Sequence, residues 1–421
     1  MQSSSLKQLW VLMATVFVDM IGFLMVVPIL PFYAKHLGAR PIVITFIISS
    51  FFLAQLITAP LWGRFSDRYG RRPALLVGLA SSAVAFALFG LANTVWLLLI
   101  FRLVQGAGGG TTGVVQAYVS DSVPPEERAK ALGWISAATN AGVMIGGAVG
   151  SLTTYLGHWG PGFVAAGLCT LNVISAWLWL PESRREDAPA ADTTADAPRP
   201  QRRPLRQAVF AVLRHPRSPA SSLIWIYTIG MFAFMGMNGV LALYLGASYG
   251  VTEKTIGYFF TYIGAIGLVM RALLLGPLVR RFGEVGVTRL GALCLVLGLA
   301  GIPLPAQAGL SHGVRLGLFA VVILLVPVGT ALLFPATTAL LSRRTSRGEM
   351  GQAMGVQQSF GSMARLVGPV CAGAIYEIDP RFPFWAAAAL MLCTSFLTTR
   401  QRAPEARVAV EPAPETGRAA P

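Results

Sequence analysis

Asp19 is the carboxylate that lies deepest within a long apolar run of this 421-residue sequence. A charged side chain in a lipid bilayer costs about 2.5–3.5 kcal/mol or more unless protein or water shelters it, so such residues are rare and usually functional. A sheltered carboxylate can bind and release a proton, or it can bind a cation. Arg102 lies in another apolar run and is a candidate partner that would tune the proton affinity of Asp19. The alternative is an Asp19–Arg102 pair with a purely structural role.

Two further arginines, Arg271 and Arg365, interrupt apolar runs in the second half of the chain. Arg271 has the charge needed to attract an anionic substrate. It lies roughly 14 Å from Arg280 along a helix, so snorkelling toward the membrane surface is the competing explanation.

A segment rich in glycine and arginine, Gly63–Pro73, separates the second and third apolar runs. Its glycines permit close helix approach and a positive φ angle, and its acid can face a helix N-terminus. We predict that it forms a turn of about ten residues between two antiparallel helices, on the cytoplasmic side. The motif residues are Gly63, Asp67, Arg68, Gly70, Arg71 and Arg72. The glycine spacing recurs after the eighth run, where the counterparts are Gly276, Arg280, Arg281 and Gly283.

The composition places these residues in a membrane protein. Only 12% of the residues are charged and 54% are hydrophobic, whereas soluble domains carry about 25% charged residues. The four cysteines show neither disulfide-scaffold nor metal-site spacing. The sequence contains no Gly-x-x-x-x-Gly-Lys-Ser/Thr loop, so ATP is not the expected energy source. The net charge of +15 is distributed in short clusters, which argues against nucleic-acid binding.

Twelve apolar runs recur along the chain, each close to the length of about 20 residues that spans a bilayer. Runs of this length and continuity predict helices rather than barrel strands. They lie at residues 8–33, 42–62, 74–92, 95–119, 130–154, 162–180, 220–246, 254–279, 286–304, 314–340, 350–376 and 382–399. Lys and Arg cluster in alternate connections, which predicts that both termini are cytoplasmic.

We predict an all-α integral membrane protein with two pseudo-symmetric six-helix bundles, at residues 1–181 and 219–400. The polar stretch 182–218, rich in Pro, Ala, Asp and Arg, is typical of a cytoplasmic linker. Within it, residues 204–215 form either a short amphipathic surface helix or plain linker. Residues 401–421 are expected to be a disordered cytoplasmic tail.

Two internal echoes support the division into halves. One is the repeated glycine motif, and the other is the similarity of Ala131–Gly133 to Ala353–Gly355. An arrangement of two related bundles places a site near the bilayer midplane between them, which opens alternately to each side.

The sequence resembles the major facilitator superfamily, whose hallmark loop between spans two and three has the pattern of Gly63–Pro73. More of the chain is similar to the drug:proton antiporter branch, which includes tetracycline and multidrug exporters. The similar segments are Asp19–Gly22, Pro28–Pro31, Arg102–Gly106, Asp121–Arg128, Ala131–Gly133 and Pro181–Ser183. The resemblance covers nearly all of the chain except the linker and the tail.

The fifth run departs from the antiporter pattern, since three of its six motif positions differ and the proline is missing. Gly142, Gly146 and Gly150 still make one smooth face for helix packing. The eleventh run retains a pair of the same kind, Gly368 and Pro369. Arg365 precedes this pair, where the family often carries an arginine, and the resemblance implies a structural brace there. The missing proline leaves the polarity of transport open.

The resemblance implies a secondary active transporter, and we expect proton-coupled efflux of small amphipathic or drug-like compounds. Asp19 and Arg102 would couple transport to protons. The charged residues of the Gly63–Pro73 motif would form a cytoplasmic cluster with Asp121, which breaks when that side opens. The candidates for the substrate cavity are Met25, Gln116, Phe234, Asn238, Arg271 and Gln358.

The alternative within transport is a proton-coupled symporter or a uniporter for a nutrient or metabolite. A non-transporting membrane sensor or scaffold would not need matched motifs in both halves. An enzyme would need partners beside Asp19 that the sequence does not offer. The expected partners are a small-molecule substrate, protons and membrane lipids, without a cofactor, a metal or nucleic acid. We expect a monomer in the plasma membrane, which is the inner membrane in a bacterium.

Overall fold

The computed structural model describes residues 3–124, 126–183, 205–216, 218–345 and 349–399. These residues form an all-helical protein in which 87% of the structure is helix, and none of them belongs to a strand. The all-α prediction is therefore confirmed.

Eight α-helices and one 3-10 turn, Thr154–Leu156, form the described part of the chain before the linker, which we call the N-terminal half. The α-helices are α1 (Ser3–Val26), α2 (Leu30–His36), α3 (Pro41–Tyr69), α4 (Arg71–Gly90), α5 (Val95–Gly108), α6 (Thr111–Ser122), α7 (Arg128–Thr153) and α8 (Gly160–Trp179). Helix α9 (Leu205–Arg214) follows, at the place where the sequence leaves a surface helix and plain linker as alternatives.

The C-terminal half contains seven α-helices and one π-helical turn, Met270–Leu274. The helices are α10 (Pro219–Tyr249), α11 (Ile256–Val269), α12 (Leu275–Gly301), α13 (Leu304–Gln307), α14 (His312–Arg344), α15 (Met350–Ile378) and α16 (Phe382–Thr399). Most of the predicted linker and all of the predicted tail, residues 184–204 and 400–421, lie outside the described residues.

Nine helical segments of the described chain are long and apolar enough to cross a membrane. One of them, Ile256–Gln307, has 52 residues and turns at Gly283, whose φ of 67° is not helical. This segment is therefore long enough to cross twice. Together with α15 and the shorter α16, the segments are consistent with the predicted twelve crossings of an integral membrane protein.

Two of the predicted runs are broken rather than continuous. The first run is interrupted between α1 and α2, next to Pro28 and Pro31. The fourth run is interrupted between α5 and α6, at Gly109 and Gly110. A Cβ atom on Gly110 would lie 2.2 Å from the Trp62 ring, so the indole of α3 occupies the space that a side chain would need there.

The Gly63–Pro73 motif is more compact than the sequence predicts. Helix α3 continues to Tyr69 and α4 begins at Arg71, so only Gly70 lies outside the two helices. Its φ of 104° lies in the region that glycine adopts readily. The Gly70 N–H donates to the Ser66 carbonyl over 3.1 Å and closes the last turn of α3. The turn is therefore one residue long because the rest of the motif can remain helical.

Helix α7 packs against α1 through glycines. Cβ atoms on Gly142, Gly146 and Gly150 would lie 2.6, 2.7 and 2.3 Å from backbone carbonyl oxygens of α1. The two backbones are thus in direct contact along the face formed by these three residues. Lipid tails are as apolar as side chains, so close packing of this kind is a main source of helix association in membranes.

The helices of each half pack mainly with one another, and α3–α15 and α7–α11 are the main contacts between the halves. In the second contact, a Cβ atom on Gly257 would lie 1.8 Å from the Gly147 carbonyl oxygen. In the first, a Cβ atom on Gly373 would lie 1.9 Å from the Thr45 hydroxyl oxygen. The bundle boundaries at residues 181 and 219 stay a prediction.

The α1–α7 contact predicts that Gly150→Ala will destabilise the protein, because its Cβ atom has no space. Overpacking of this kind costs about 1–3 kcal/mol, and we expect a lower thermal unfolding temperature in detergent. Gly133→Ala is the matched control on the same helix, since a Cβ atom there meets nothing within 4 Å. It should be neutral or slightly stabilising, by up to about 1 kcal/mol. If Gly150→Ala and Gly133→Ala changed the unfolding temperature equally, the α1–α7 contact would not depend on the missing side chain of Gly150.

Candidate functional site

Three adjoining cavities lie between the two halves. The motif-side cavity, of about 530 Å³, is bordered by the Gly63–Pro73 motif and by α15. The acid cavity, of about 230 Å³, contains Asp19. The aromatic cavity, of about 280 Å³, lies beyond it. The Phe52 side chain borders all three, so the cavities form a series that begins on the motif side of the protein.

The aromatic cavity is lined almost entirely by apolar side chains from both halves. Phe23 and Phe52 come from the N-terminal half, and Phe234 and Phe260 come from the C-terminal half. Its polar lining includes Asn238 and Arg102. Such a lining suits a ligand with an aromatic or aliphatic body and few polar groups. Phe234 and Asn238, both predicted from the sequence as cavity residues, thus lie at this cavity.

The acid cavity has both polar and apolar side chains in its lining. Asp19 is half-buried and faces the hydroxyl of Ser82 on α4. Gln55, Gln105 and Arg365 also line this cavity. Within the described residues, Asp19 has no basic side chain within ion-pair distance. The carboxylate therefore faces a cavity in which a proton or a cationic group can reach it.

Arg102 is not brought to Asp19. Its guanidinium donates from Nη1 to Gln105 Oε1 at 2.6 Å and from Nη2 to the Ile48 carbonyl at 3.2 Å. The Phe51 ring centroid lies 4.7 Å from the same group, a distance typical of a cation–π contact. The residue is only 1% exposed. Arg102 thus joins α5 to α3, and the predicted tuning of Asp19 by Arg102 lacks a direct contact.

The motif brings its charged residues together around Arg71. Its guanidinium donates from Nε to Asp121 Oδ2 at 2.8 Å and from Nη1 to Asp67 and to Ser66 Oγ. All these residues belong to the N-terminal half, and the cluster borders the motif-side cavity. These ion pairs therefore join parts of one half and do not cross to the other half. The expectation that the cluster breaks when its side of the protein opens stays a prediction.

The other two arginines of the motif have different neighbours. Arg68 lies over the Tyr69 ring, with 5.4 Å between guanidinium carbon and ring centroid. Arg72 donates to the backbone carbonyl of Trp177 at the end of α8. Gly63 is helical, and a Cβ atom there would meet nothing within 4 Å.

Glu182, which follows α8, caps the N-terminus of α4. Its carboxylate oxygens accept the backbone N–H groups of Arg71 at 2.9 Å and of Arg72 at 3.1 Å. A Cβ atom on Gly70 would lie 2.5 Å from Glu182 Oε2. Gly70 is thus needed both for its positive φ and for the space that the carboxylate occupies. A negative charge at a helix N-terminus also interacts favourably with the helix dipole.

The C-terminal counterpart of the motif also has a glycine with positive φ followed by an ion pair, but the basic and acidic residues of that pair are exchanged. Gly283, like Gly70, has a positive φ, and the next residue, Glu284, pairs with Arg343 Nε at 2.9 Å. In the N-terminal half, the residue after the glycine is basic and its partner is acidic. The remaining counterpart residues, Gly276, Arg280 and Arg281, are exposed.

The remaining predicted cavity residues fall in three places. Gln116 and Gln358 line the motif-side cavity. Arg271 lies in the π-helical turn and donates to Asn140 Oδ1 of α7 at 3.1 Å, outside all three cavities. Met25 is predicted at the cavity but is fully buried, because the absence of a side chain on Gly150 lets α1 pack directly against α7. Gly368 and Pro369 pack against α10.

The side opposite the motif is closed by polar contacts between the halves. Ser151 on α7 is 0% exposed. Its hydroxyl donates to the Glu253 carbonyl at 2.9 Å and accepts the Gly257 N–H at 2.8 Å. The Ile42 N–H also donates to Glu377 Oε1 at 3.3 Å. The cavities are therefore separated from that side by packed helices.

The model of the Major Facilitator Superfamily matches residues 12–325 and 308–420. The chain belongs to the major facilitator superfamily. The match extends over both halves, as the motif resemblance predicts.

Named relatives within the major facilitator superfamily are drug resistance proteins. "Multidrug resistance protein 2" of Bacillus subtilis (strain 168) is 26% identical over 395 residues, which are 92% of this chain and 93% of the relative. "Tetracycline resistance protein, class C" of Escherichia coli is 26% identical over 381 residues, which are 87% of this chain and 89% of the relative. The predicted similarity to the drug:proton antiporter branch is confirmed, at modest identity.

Among solved structures, the nucleoside transporter NupG is similar to this chain with a TM-score of 0.72 at 14% identity. The alignment covers 94% of this chain and 98% of that chain. This likeness concerns the fold alone.

Several residues at the site of this superfamily member were not singled out from the sequence. Ser82 lines the acid cavity, and Asn140 binds Arg271. Gln105 also lines the acid cavity and stands in the segment Arg102–Gly106, but the sequence alone assigns it no role of its own.

Glu182 belongs to the segment Pro181–Ser183, which resembles the family. Its capping of α4 depends on the end of α8 lying beside α4, which the sequence does not show. Ser151 is one of the three positions at which the fifth run differs from the antiporter pattern, and this difference is the sequence signal that could have identified it.

The exchanged charges in the C-terminal half predict that the pair, rather than its polarity, is required. Glu284 is 11% exposed and Arg343 is 65% exposed, so Arg343→Glu leaves a nearly buried carboxylate beside a like charge. We expect lower thermal stability for Arg343→Glu and recovery in the double variant Glu284→Arg/Arg343→Glu. A double-mutant cycle on unfolding should give a coupling of about 0.5–3 kcal/mol. Additive effects would contradict the importance of the pair.

The Ser151 contacts predict that Ser151→Ala favours opening of the side opposite the motif. Each lost hydrogen bond is worth about 1 kcal/mol, or about fivefold in a conformational equilibrium. Spin labels at Leu156→Cys and Lys254→Cys should report a larger population of long distances. Ser136→Ala on the same helix is the matched control, because its hydroxyl bonds only to the Leu132 carbonyl. An unchanged distance distribution for Ser151→Ala would contradict the role of the Ser151 hydrogen bonds in closing this side.

Proposed function

We propose that this superfamily member is a proton-coupled exporter of small amphipathic or drug-like compounds that works by alternating access. The observation that carries the proposal is the position of Asp19 in a cavity that adjoins the aromatic cavity. The two cavities share the side chains of Phe23, Phe52 and Met235. A group that exchanges protons thus lies beside the space for an apolar compound.

Asp19 is the proposed coupling residue. When its carboxylate is ionised it binds a cationic group, and when it is protonated it loses most of that attraction. Protonation from one side of the membrane therefore favours release of the compound there. Entry of a proton down a membrane potential supplies about 2.3 kcal/mol per charge for each 100 mV. The named relatives, which confer resistance to drugs, are consistent with export as the direction.

The aromatic cavity is the proposed binding site for the apolar body of the compound. Its walls come from both halves, so a relative movement of the halves changes its shape. Arg102 holds the cavity wall through α3 and α5, and its predicted part in coupling would then act through this scaffold. Pockets that bind drug-sized ligands are typically apolar with few polar groups.

Alternating access requires two sets of contacts between the halves. The contacts around Ser151 close the side opposite the motif, while the motif-side cavity lies between α3 and α15. We propose that the motif side is cytoplasmic, with both termini on it, because Lys and Arg are concentrated there. The structure would then be the state that takes up substrate from the cytoplasm, in a monomer surrounded by plasma-membrane lipid.

Asp19→Asn tests the proposal, because an amide keeps the size of the side chain and cannot carry the proton. Proteoliposomes with an imposed proton gradient should transport a cationic amphipathic dye with wild-type protein. The Asp19→Asn variant should lose the gradient dependence, and a protonophore should abolish it in the wild type.

Asp379→Asn is the control, because this carboxylate lies between α15 and α16 and pairs with Arg381 at 2.7 Å, away from the cavities. Gradient-dependent transport by Asp19→Asn at the wild-type rate would refute the coupling role. Gradient-driven accumulation on the cytoplasmic side would instead favour a symporter.

A further inference from the structure

Arg365 on α15 lines both the acid cavity and the motif-side cavity. It is half-buried within the membrane-spanning part of the helix. Among the described residues, its guanidinium has neither a carboxylate within ion-pair distance nor a hydrogen-bond acceptor. Its planar fork of N–H donors is therefore available to the cavities.

The other arginines near the halves' interface are occupied. Arg102 is bound by Gln105 and the Ile48 carbonyl, and Arg271 is bound by Asn140. A guanidinium within a membrane protein is costly without a partner or water. A brace would be bonded to the helices that it holds, so the lack of such bonds argues against the bracing role predicted for Arg365.

Asp19 lines the same cavity and belongs to the other half. It also lacks an ion pair in the described part of the chain. The lining of the acid cavity, of about 230 Å³, thus includes both a carboxylate and a guanidinium. A ligand with one charge would satisfy only one of them, whereas a ligand with both charges would satisfy both.

We propose that the preferred substrates are zwitterions with an aromatic body, which bind with an ammonium group at Asp19 and a carboxylate at Arg365. The guanidinium matches a carboxylate through two parallel hydrogen bonds, which a lysine would not reproduce. The aromatic body occupies the adjoining aromatic cavity, through the wall formed by Phe23 and Phe52. This inference rests on the proposed export function and deepens it by naming the substrate class.

A ligand that is bound through both of its charges also connects the two halves. Asp19 is on α1 and Arg365 is on α15, so a bound zwitterion spans the gap between the two halves. A compound that lacks the acidic group would leave the C-terminal half without this charged contact. Zwitterions should therefore be favoured in transport as well as in binding.

The test compares a fluorescent piperazinyl-quinolone carboxylic acid with its primary carboxamide, which keeps the amine and the ring system. Purified full-length protein in lipid nanodiscs is titrated with each compound. Wild type should bind the acid at least about tenfold more tightly than the carboxamide, as expected for one charge-assisted contact. Arg365→Gln should reduce this preference to within about twofold, and Arg365→Lys should retain part of it.

Arg315→Gln is the matched control, because it removes an arginine of the same half that lines none of the three cavities. It should keep the wild-type preference. Equal affinities of wild type for the two compounds would overturn the inference, whether or not the Arg365 variants fold. A preference that survives in Arg365→Gln would also overturn it.

Proteoliposome transport separates this inference from the proposed function. Export of both compounds at equal rates, unaffected by Arg365→Gln, would leave the export function standing and refute the zwitterion site. Export of neither compound by wild type would count against the proposed function and the inference together. Gradient-dependent export of the acid in preference to the carboxamide, lost in Arg365→Gln, would support both.

Discussion

Helix α7 links the packing of the N-terminal half to the contact between the halves, because it presents small residues on two faces. One face, formed by Gly142, Gly146 and Gly150, brings its backbone against α1. The other face, with Gly147 and Ser151, meets α11 of the opposite half. In a bilayer, where apolar burial does not drive helix association, such close approach supplies much of the packing energy. The same helix therefore holds the N-terminal half together and closes the side opposite the motif.

The embedded charges divide into those that serve the fold and those that face the cavities. Arg102 is bound on both of its terminal nitrogens and surrounded by aromatic rings. Arg71 is held by acids of its own half. Asp19 and Arg365 have no ion pair among the described residues and border a cavity. An uncompensated charge is energetically costly in a membrane. The position of these two charges at a cavity is consistent with the proposed reversible binding of protons and charged ligands.

The two halves share a backbone design more than a charge pattern. Gly70 and Gly283 both adopt positive φ and both precede a residue that forms an ion pair. The sign of the pair is exchanged between the halves. In each half the pair joins the residue after the glycine to the last turn of a later helix, α6 or α14, and either polarity can supply that bond. The cap by Glu182 on α4 adds a contact that is specific to the N-terminal half.

The sequence by itself determined the helical class, the family and the residues worth testing. Apolar run length, glycine spacing and an isolated Asp19 are local signals, and each depends on the properties of lipid rather than on neighbouring helices. The one-residue turn at Gly70 was predicted in place but not in length. The amphipathic helix α9 was one of two local alternatives.

Only the tertiary structure decided which of these residues meet. Arg102 turns toward Gln105 rather than Asp19, Met25 is buried, and Arg365 faces the acid cavity instead of bracing a helix. The physical reason is that the rotation of each helix about its axis is set by close packing with helices distant in sequence. A membrane-spanning run is hydrophobic on nearly all sides of its helix. The sequence of such a run therefore contains little information about the rotation of the helix.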